Sequence, residues 1–211
     1  LPATIMLIAL TMKIGAAPTH FWLPEVMQGT TLLTSMLIAT WQKIAPMMLV
    51  LSMSNNIPSN ITIMLGLLSM FTGGWGGMNQ TQLRKIMAFS SIANTGWTLM
   101  TVTYEPKTSM INFFLYIIMT APMFMALALS STKTLQDMTA LWTTSTTTSM
   151  TLMLLLLSTA GLPPLTGFMP KLLILNELVA QNLTPAAVLT TMTSLLTLVF
   201  YLRATYLTSL L

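Results

Sequence analysis

"GLPPLTGFMPK", residues 161–171, is the stretch that decides the fold. It lies inside an apolar run at 149–183. As one helix that run would measure about 52 Å at 1.5 Å per residue, against about 30 Å of bilayer hydrocarbon. Proline brings no amide hydrogen to a helix, and its ring clashes with the carbonyl four residues back. Pro163, Pro164, Gly167 and Pro170 therefore predict two helical pieces with an unwound middle. The same device recurs near the other end of the chain. "KIGAAPTHFWLPEVMQG", residues 13–29, interrupts an apolar segment at 1–27 with Gly15 and Pro18.

Between and after these stretches the chain reads as uninterrupted apolar segments at 31–53, 61–78, 86–103, 109–131 and 185–209. "SNNIPSN", "NQTQLRK", "YEPKT" and a polar stretch at 132–148 containing "TTSTTTS" separate them. The alternation a membrane barrel needs is missing from the pattern. The predicted fold is all-α: one transmembrane domain, 1–211, built as a polytopic helix bundle of about seven segments. The two broken segments stand an odd number of helices apart, so the second runs opposite to the first. That spacing predicts an inverted repeat, and interrupted helices in matching positions point to a binding or transport site.

Composition supports a membrane setting. Hydrophobic residues make up 54% of the 211 residues and charged residues 6%, where soluble domains carry about 25% charge. Mean hydropathy is +0.78. The absence of cysteine excludes thiolate-held Fe–S clusters and disulfides, and a single histidine argues against structural zinc. The net charge of +4 comes from scattered side chains, which is not a nucleic-acid footprint. The 21 methionines read as adaptable packing surface. No charged n-region or cleavage site precedes the first apolar run, so a signal peptide is not expected, and the chain is expected to begin inside a larger protein. Arg84, Lys85 and Lys133 fall in loops on one side and Lys107 on the other, which predicts that the first side faces the positive-inside compartment.

Three lysines stand where a bilayer tolerates them worst. Lys43, in "TWQKIAP", sits mid-segment, where a cation costs about 2.5–3.5 kcal/mol on insertion scales. Lys13 borders the first break and Lys171 follows the second. Each has a proline nearby that frees a carbonyl: Pro18 that of Ile14, Pro46 that of Gln42, Pro170 that of Thr166. Carbonyls and ammonium groups of this kind both seek water, so these segments are expected to line a hydrated interior path. Lys13, Lys43 and Lys171 are thus candidates for a proton relay, with static pairing to carboxylates as the alternative. His20 could shuttle protons or simply pack. For Glu25 two readings stand open, a cap on the helix that follows or a partner for a lysine. Glu177 lies off the helical face of Lys171, Arg203 is expected to snorkel, and Arg84 and Lys85 to anchor topology. "GGWGGMNQ", residues 73–80, lacks the strand and spacing of a nucleotide fingerprint. Its Gly73 and Gly77 instead predict a close helix-packing face. No Ser/His/Asp set or carboxylate pair suggests hydrolysis.

Four ordered motifs, "KIGAAPTHFWLPEVMQG", "TWQKIAP", "GGWGGMNQTQLRKIMAFSSIANTGW" and "GLPPLTGFMPKLLI", resemble the subunit 2 family of mitochondrial NADH–ubiquinone oxidoreductase, respiratory complex I, in its vertebrate form. The resemblance covers nearly the whole chain. It implies an antiporter-like, proton-translocating subunit of the membrane arm in the mitochondrial inner membrane, driven by redox chemistry elsewhere. By the same resemblance Lys13, Lys43 and Lys171 match the family's lysines. Partners are further membrane-arm subunits, including antiporter-like ones, and lipids, with no nucleic acid. NADH, FMN, Fe–S clusters and ubiquinone belong to other subunits, and this chain holds no cofactor and no metal. The family's modulating glutamate on an earlier helix and its C-terminal segment have no counterpart here, so the sequence is expected to be incomplete at both ends. Asn94 stands where related chains often carry histidine; it binds water but takes up no proton. Two other functions fit the same residues: a stand-alone cation/proton antiporter, and a structural subunit with an inert interior.

Overall fold

The structure is a computed structural model that describes residues 2–209; the start of the first expected segment, residue 1, and the end of the expected domain, residues 210 and 211, lie outside the described residues. Among the described residues every named element is a helix, accompanied by one isolated antiparallel bridge, Gln82 to Thr134. In chain order these are α1 (Pro2–Ile14), α2 (Trp22–Gly29), α3 (Leu32–Ala39), α4 (Trp41–Ser52), a 3-10 turn (Ser54–Asn56), α5 (Ser59–Met78), α6 (Leu83–Thr101), α7 (Pro106–Leu129), α8 (Leu141–Thr144), α9 (Thr146–Ala160), α10 (Phe168–Ala180) and α11 (Thr184–Ser209). Among the described residues four helical stretches are long and apolar enough to cross a membrane: Leu32–Ser52, Ser59–Met78, Pro106–Leu129 and Thr184–Ser209.

Both interruptions end their first helix in the same way. Gly15 and Gly161 adopt left-handed φ of 80° and 83°, a conformation open to glycine at little cost and common just past a helix end. The Gly161 amide donates to the carbonyls of Leu157 and Ser158, and the Gly15 amide to those of Thr11 and Met12. Prolines follow each glycine and forbid continuation. Pro170 does not break the second segment, as the sequence suggested. It lies within the first turn of α10, where the amide it lacks would have had no helical partner. Thr166, whose carbonyl Pro170 was expected to free, already lies in the unwound stretch.

The segment expected at 31–53 is offset at Thr40, which separates α3 from α4 with φ −114° and ψ −70°. The Thr40 hydroxyl and amide both donate to the Met36 carbonyl, at 2.7 and 3.0 Å. Such back-bonding from Ser or Thr bends helices.

α6 is the centre of the bundle. It feeds all three apolar clusters, with Met87 and Ile92 in one, Leu99 in the second, and Trp97 and Met100 in the third. α5 lies between α6 and α11, while α7 packs on α3, α6, α9 and α10. Glycine lets α5 approach both neighbours. A Cβ on Gly73 would lie 2.6 Å from the Ala93 amide of α6, and one on Gly77 would lie 2.9 Å from the Phe200 ring of α11. Gly73 and Gly77 thus serve two partners, not the one packing face expected from their spacing. The seam against α6 is Gly66, Gly73 and Gly76; the seam against α11 is Gly74 with Gly77.

Candidate functional site

Lys43, on α4, is 2% exposed. Its Nζ donates to the Ser91 hydroxyl at 3.1 Å and to the Ser91 carbonyl at 3.5 Å, both on α6. A buried cation needs such partners, because desolvation without them is costly. Hydroxyl and carbonyl dipoles, not a carboxylate, meet this ammonium. Ser90 and Ser91 sit on the α6 turn that faces α7, where the buried Tyr116 hydroxyl lies beside both serines and near Tyr201 of α11. Tyr201 in turn lies beside Ser90 and Thr159 of α9.

A cavity of ≈ 10 Å³ opens among Ser90, Asn94, Thr159, Thr197, Tyr201 and Lys171. That is about the room one water needs. Lys171, on α10, is half-buried, and its Nζ donates to the Ala160 carbonyl at 2.7 Å. Ala160 is the last residue of α9, so the ammonium sits at the negative end of a helix dipole. It also lies directly over Gly161: a Cβ there would come within 2.8 Å of Nζ. Polar side chains from α6, α7, α9 and α11 thus extend from Lys43 to Lys171.

Lys13 is placed differently. It is exposed in the last turn of α1, a helix that packs chiefly on α4. Its place beside the first break suggests burial like that of Lys43, but the last turn of α1 leaves it at the surface. Met12 beside it, and Ile5, Met6 and Ile8 earlier on α1, are exposed as well. His20 is buried against Phe21, with ring centroids 4.3 Å apart. It lines a cavity of ≈ 480 Å³ with Glu25, Trp75, Gln80 and Lys85. Glu25 is exposed in the first turn of α2, where it complements that helix's dipole. It does not cap the following helix, whose N-cap is Thr31, accepting from the Thr34 amide at 3.5 Å. The structure therefore gathers Lys43 with Lys171 and, separately, His20 with Glu25, and leaves Lys13 with neither group.

Ser90, Ser91, Tyr116, Thr159, Tyr201 and Gly161 were not singled out in the sequence. Gly161 alone carried a local signal, a glycine two residues ahead of a proline pair. Among the described residues no cluster of three or more His, Cys, Asp or Glu could hold a metal ion.

Charge sites at the helix ends complete the picture. Arg84 and Lys85, expected in a loop, fall in the first turn of α6. Arg84 Nη1 donates to the Thr30 carbonyl. Arg203 Nη1 donates to the Met78 carbonyl at 3.1 Å, tying α11 to the end of α5. The Asp137 carboxyl is held below the usual carboxylate range by the Thr134 and Lys133 amides that donate to it.

A buried lysine and a half-buried one, inside a bundle with several membrane-length helices and two interrupted segments, mark a polytopic membrane protein. The sequence model of the family described as "NADH:quinone oxidoreductase/Mrp antiporter, TM" matches residues 1–197, and the chain belongs to that family. It is 56% identical over 211 residues to the NADH-ubiquinone oxidoreductase chain 2 of Aquarana catesbeiana, covering 100% of this chain and 61% of that protein. The proteins of the same name from Salmo salar and Mus musculus are 50% and 49% identical, covering 98% and 97% of this chain and 59% of each relative. The chain thus spans about three fifths of the length of the curated relatives it matches. Among solved structures, respiratory complex I from Thermus thermophilus with bound aureothin aligns with TM-score 0.88 at 26% identity, covering 98% of this chain and 48% of that one. The Mrp complex from Dietzia sp. DQ12-45-1b aligns at 0.88 and 19% identity, covering 96% and 40%, a likeness of fold.

Proposed function

We propose that the chain is the core of a proton-translocating, multi-pass subunit of the respiratory NADH:ubiquinone oxidoreductase in the mitochondrial inner membrane. The observation that carries this is the buried Lys43 ammonium held by Ser91, with polar side chains leading from it to Lys171. Protons pass between the lysines through the hydroxyls of Ser91, Tyr116, Ser90 and Tyr201 and a water in the cavity beside Asn94. Lys13 loads the relay from the surface of α1, and His20 with Glu25 serve an entrance at their own cavity. The broken pairs α1–α2 and α9–α10 belong to two halves related as an inverted repeat, in a bundle of about seven membrane segments. NADH oxidation, FMN and Fe–S chemistry and ubiquinone reduction belong to other subunits, to which this chain answers by coupled electrostatics. Other membrane-arm subunits, antiporter-like ones among them, are its neighbours.

The test uses the full-length subunit in its purified complex, reconstituted in liposomes with a pH-sensitive dye. Lys43→Met, Lys171→Met and Lys13→Ala are each expected to abolish proton uptake while the complex still assembles. Full stoichiometry in the Lys43 or Lys171 variant refutes the relay. The likeness to an Mrp complex favours a second reading, a cation/proton antiporter independent of the respiratory enzyme. Co-migration with NADH dehydrogenase activity after mild detergent extraction supports the first reading, and a free homo-oligomer supports the second.

A further inference from the structure

Three segments far apart in sequence meet at one end of the bundle. The Leu83 amide donates to the Lys133 carbonyl at 3.1 Å, and the Leu135 amide donates to the Thr81 carbonyl at 3.0 Å. Arg84 reaches the Thr30 carbonyl from the same place. These bonds set Arg84 and Lys133 on the wall of one cavity of ≈ 590 Å³, together with Thr30, Thr31, Leu33 and Ser131. The volume falls in the range of small-molecule sites, about 300–1,000 Å³.

We propose that this cavity binds the phosphodiester headgroup of an anionic phospholipid. Arg84 carries five N–H donors, of which the Thr30 carbonyl takes one. The rest of its planar fork suits the paired oxygens of a phosphate, and Lys133 adds an exposed point charge. The carboxylate beside Lys133, Asp137, is committed to the Lys133 and Thr134 amides at 2.9 and 2.8 Å. It offsets one of the two positive charges, and the remaining net charge matches a singly charged phosphodiester. The level is that of a membrane boundary, because α3 starts at Leu32, α6 starts at Leu83 and α7 ends at Leu129 around this cavity. Leu33 is 55% and Leu129 80% exposed, so apolar surface for acyl chains adjoins the cations. This favours a lipid over free phosphate, since a basic pocket between helix ends on the positive side is a known way of holding lipid headgroups. The inference does not rest on proton movement.

The test uses the full-length protein in its purified native assembly, stripped of lipid. The probe is a photoactivatable phosphatidylglycerol in phosphatidylcholine vesicles, with photoactivatable phosphatidylcholine and added inorganic phosphate as comparison arms. Labelling is expected on peptides spanning 29–33 and 129–135, from phosphatidylglycerol and not from phosphatidylcholine. Arg84→Gln with Lys133→Gln is expected to weaken the lipid's apparent affinity about 30-fold, from the usual contribution of two basic side chains near an anionic membrane surface. Lys133→Gln alone, which leaves the Arg84–Thr30 bond intact, is expected to weaken it about fivefold. Equal labelling by the two lipids, unchanged labelling in both variants, or displacement by inorganic phosphate overturns the proposal.

Discussion

Gly161→Ala tests the geometry at the second break most sharply, because it separates two costs that Lys171 links. The first is conformational: an L side chain at φ 83° is in left-handed space, at about 1–2 kcal/mol. The second is a clash, since the new Cβ would lie 2.8, 2.9 and 3.1 Å from Nζ, Cδ and Cε of Lys171. The lysine must move, and its 2.7 Å bond to the Ala160 carbonyl goes with it. A hydrogen bond to a charged group is worth about 1.5–3 kcal/mol. The total is about 2.5–5 kcal/mol in the wild-type background. With Lys171→Met, the same glycine substitution is expected to cost only the conformational part, about 1–2 kcal/mol. The assay is a double-mutant cycle on unfolding free energy, read from denaturant titration of the full-length protein in detergent micelles. Equal cost of Gly161→Ala in both backgrounds would refute an ammonium seated over that glycine.

Three further outcomes follow from the packing and from the hydrogen bonds. Gly73→Val drives a side chain into the α6 backbone and is expected to cost 3 kcal/mol or more, at about the upper end for overpacking. Gly29→Ala, with nothing within 4 Å of the new Cβ, is expected to stay within about 0.5 kcal/mol of wild type or to stabilise slightly; comparable losses for both would sink the seam described between α5 and α6. Ser91→Ala removes the hydroxyl that meets Lys43, so proton uptake is expected to fall at least about tenfold, with Ser91→Thr retaining most of it; identical rates in both variants would contradict the route. Asp137 binds the Lys133 and Thr134 amides as a carboxylate, and its folded-state pKa lies below the usual value. Its contribution is therefore complete above the ordinary carboxylate range, about pH 4, and is lost as pH falls through the lowered value. Hydrogen exchange at those two amides is expected to accelerate over that acid range, and in Asp137→Asn to be independent of it.

The interruptions were legible because glycine and proline act through their own backbone, whatever surrounds them. Gly15, Pro18, Pro163 and Pro164 announce the breaks without reference to any distant residue. The offset at Thr40 was not legible, since a threonine bonding back to its own helix looks like any other threonine in sequence. Pro170 misled because the rule for a proline depends on how far it lies from a helix start, and the start of α10 was unknown. The centrality of α6 was hidden for another reason: a helix buried on all sides has no polar face to give a period. Within that apolar segment nothing marked its serines and threonines as buried against neighbouring helices. Gly73 and Gly77 announced close packing, but only the placement of α6 and α11 shows that they serve different partners. The lysines stood out by charge alone. The groups that join them did not, because Ser91 lies 48 residues from Lys43 and a tyrosine in an apolar run reads as packing.

The hydroxyls around the small cavity share a habit with a directional consequence. Ser90 donates to Met87, Thr159 to Leu156 and Thr197 to Ser194, each to a carbonyl of its own helix at 2.7 to 2.9 Å, and Ser91 donates likewise to Ala88. Every one of these hydrogens is turned toward home, so the groups offer only lone pairs to Lys43, to Lys171 and to a visiting water. Charge hops along such a row only when rotors swing away from their own carbonyls. On the proposed relay, the resting arrangement is therefore the blocked state, and torsional motion of a few side chains is the step that opens it.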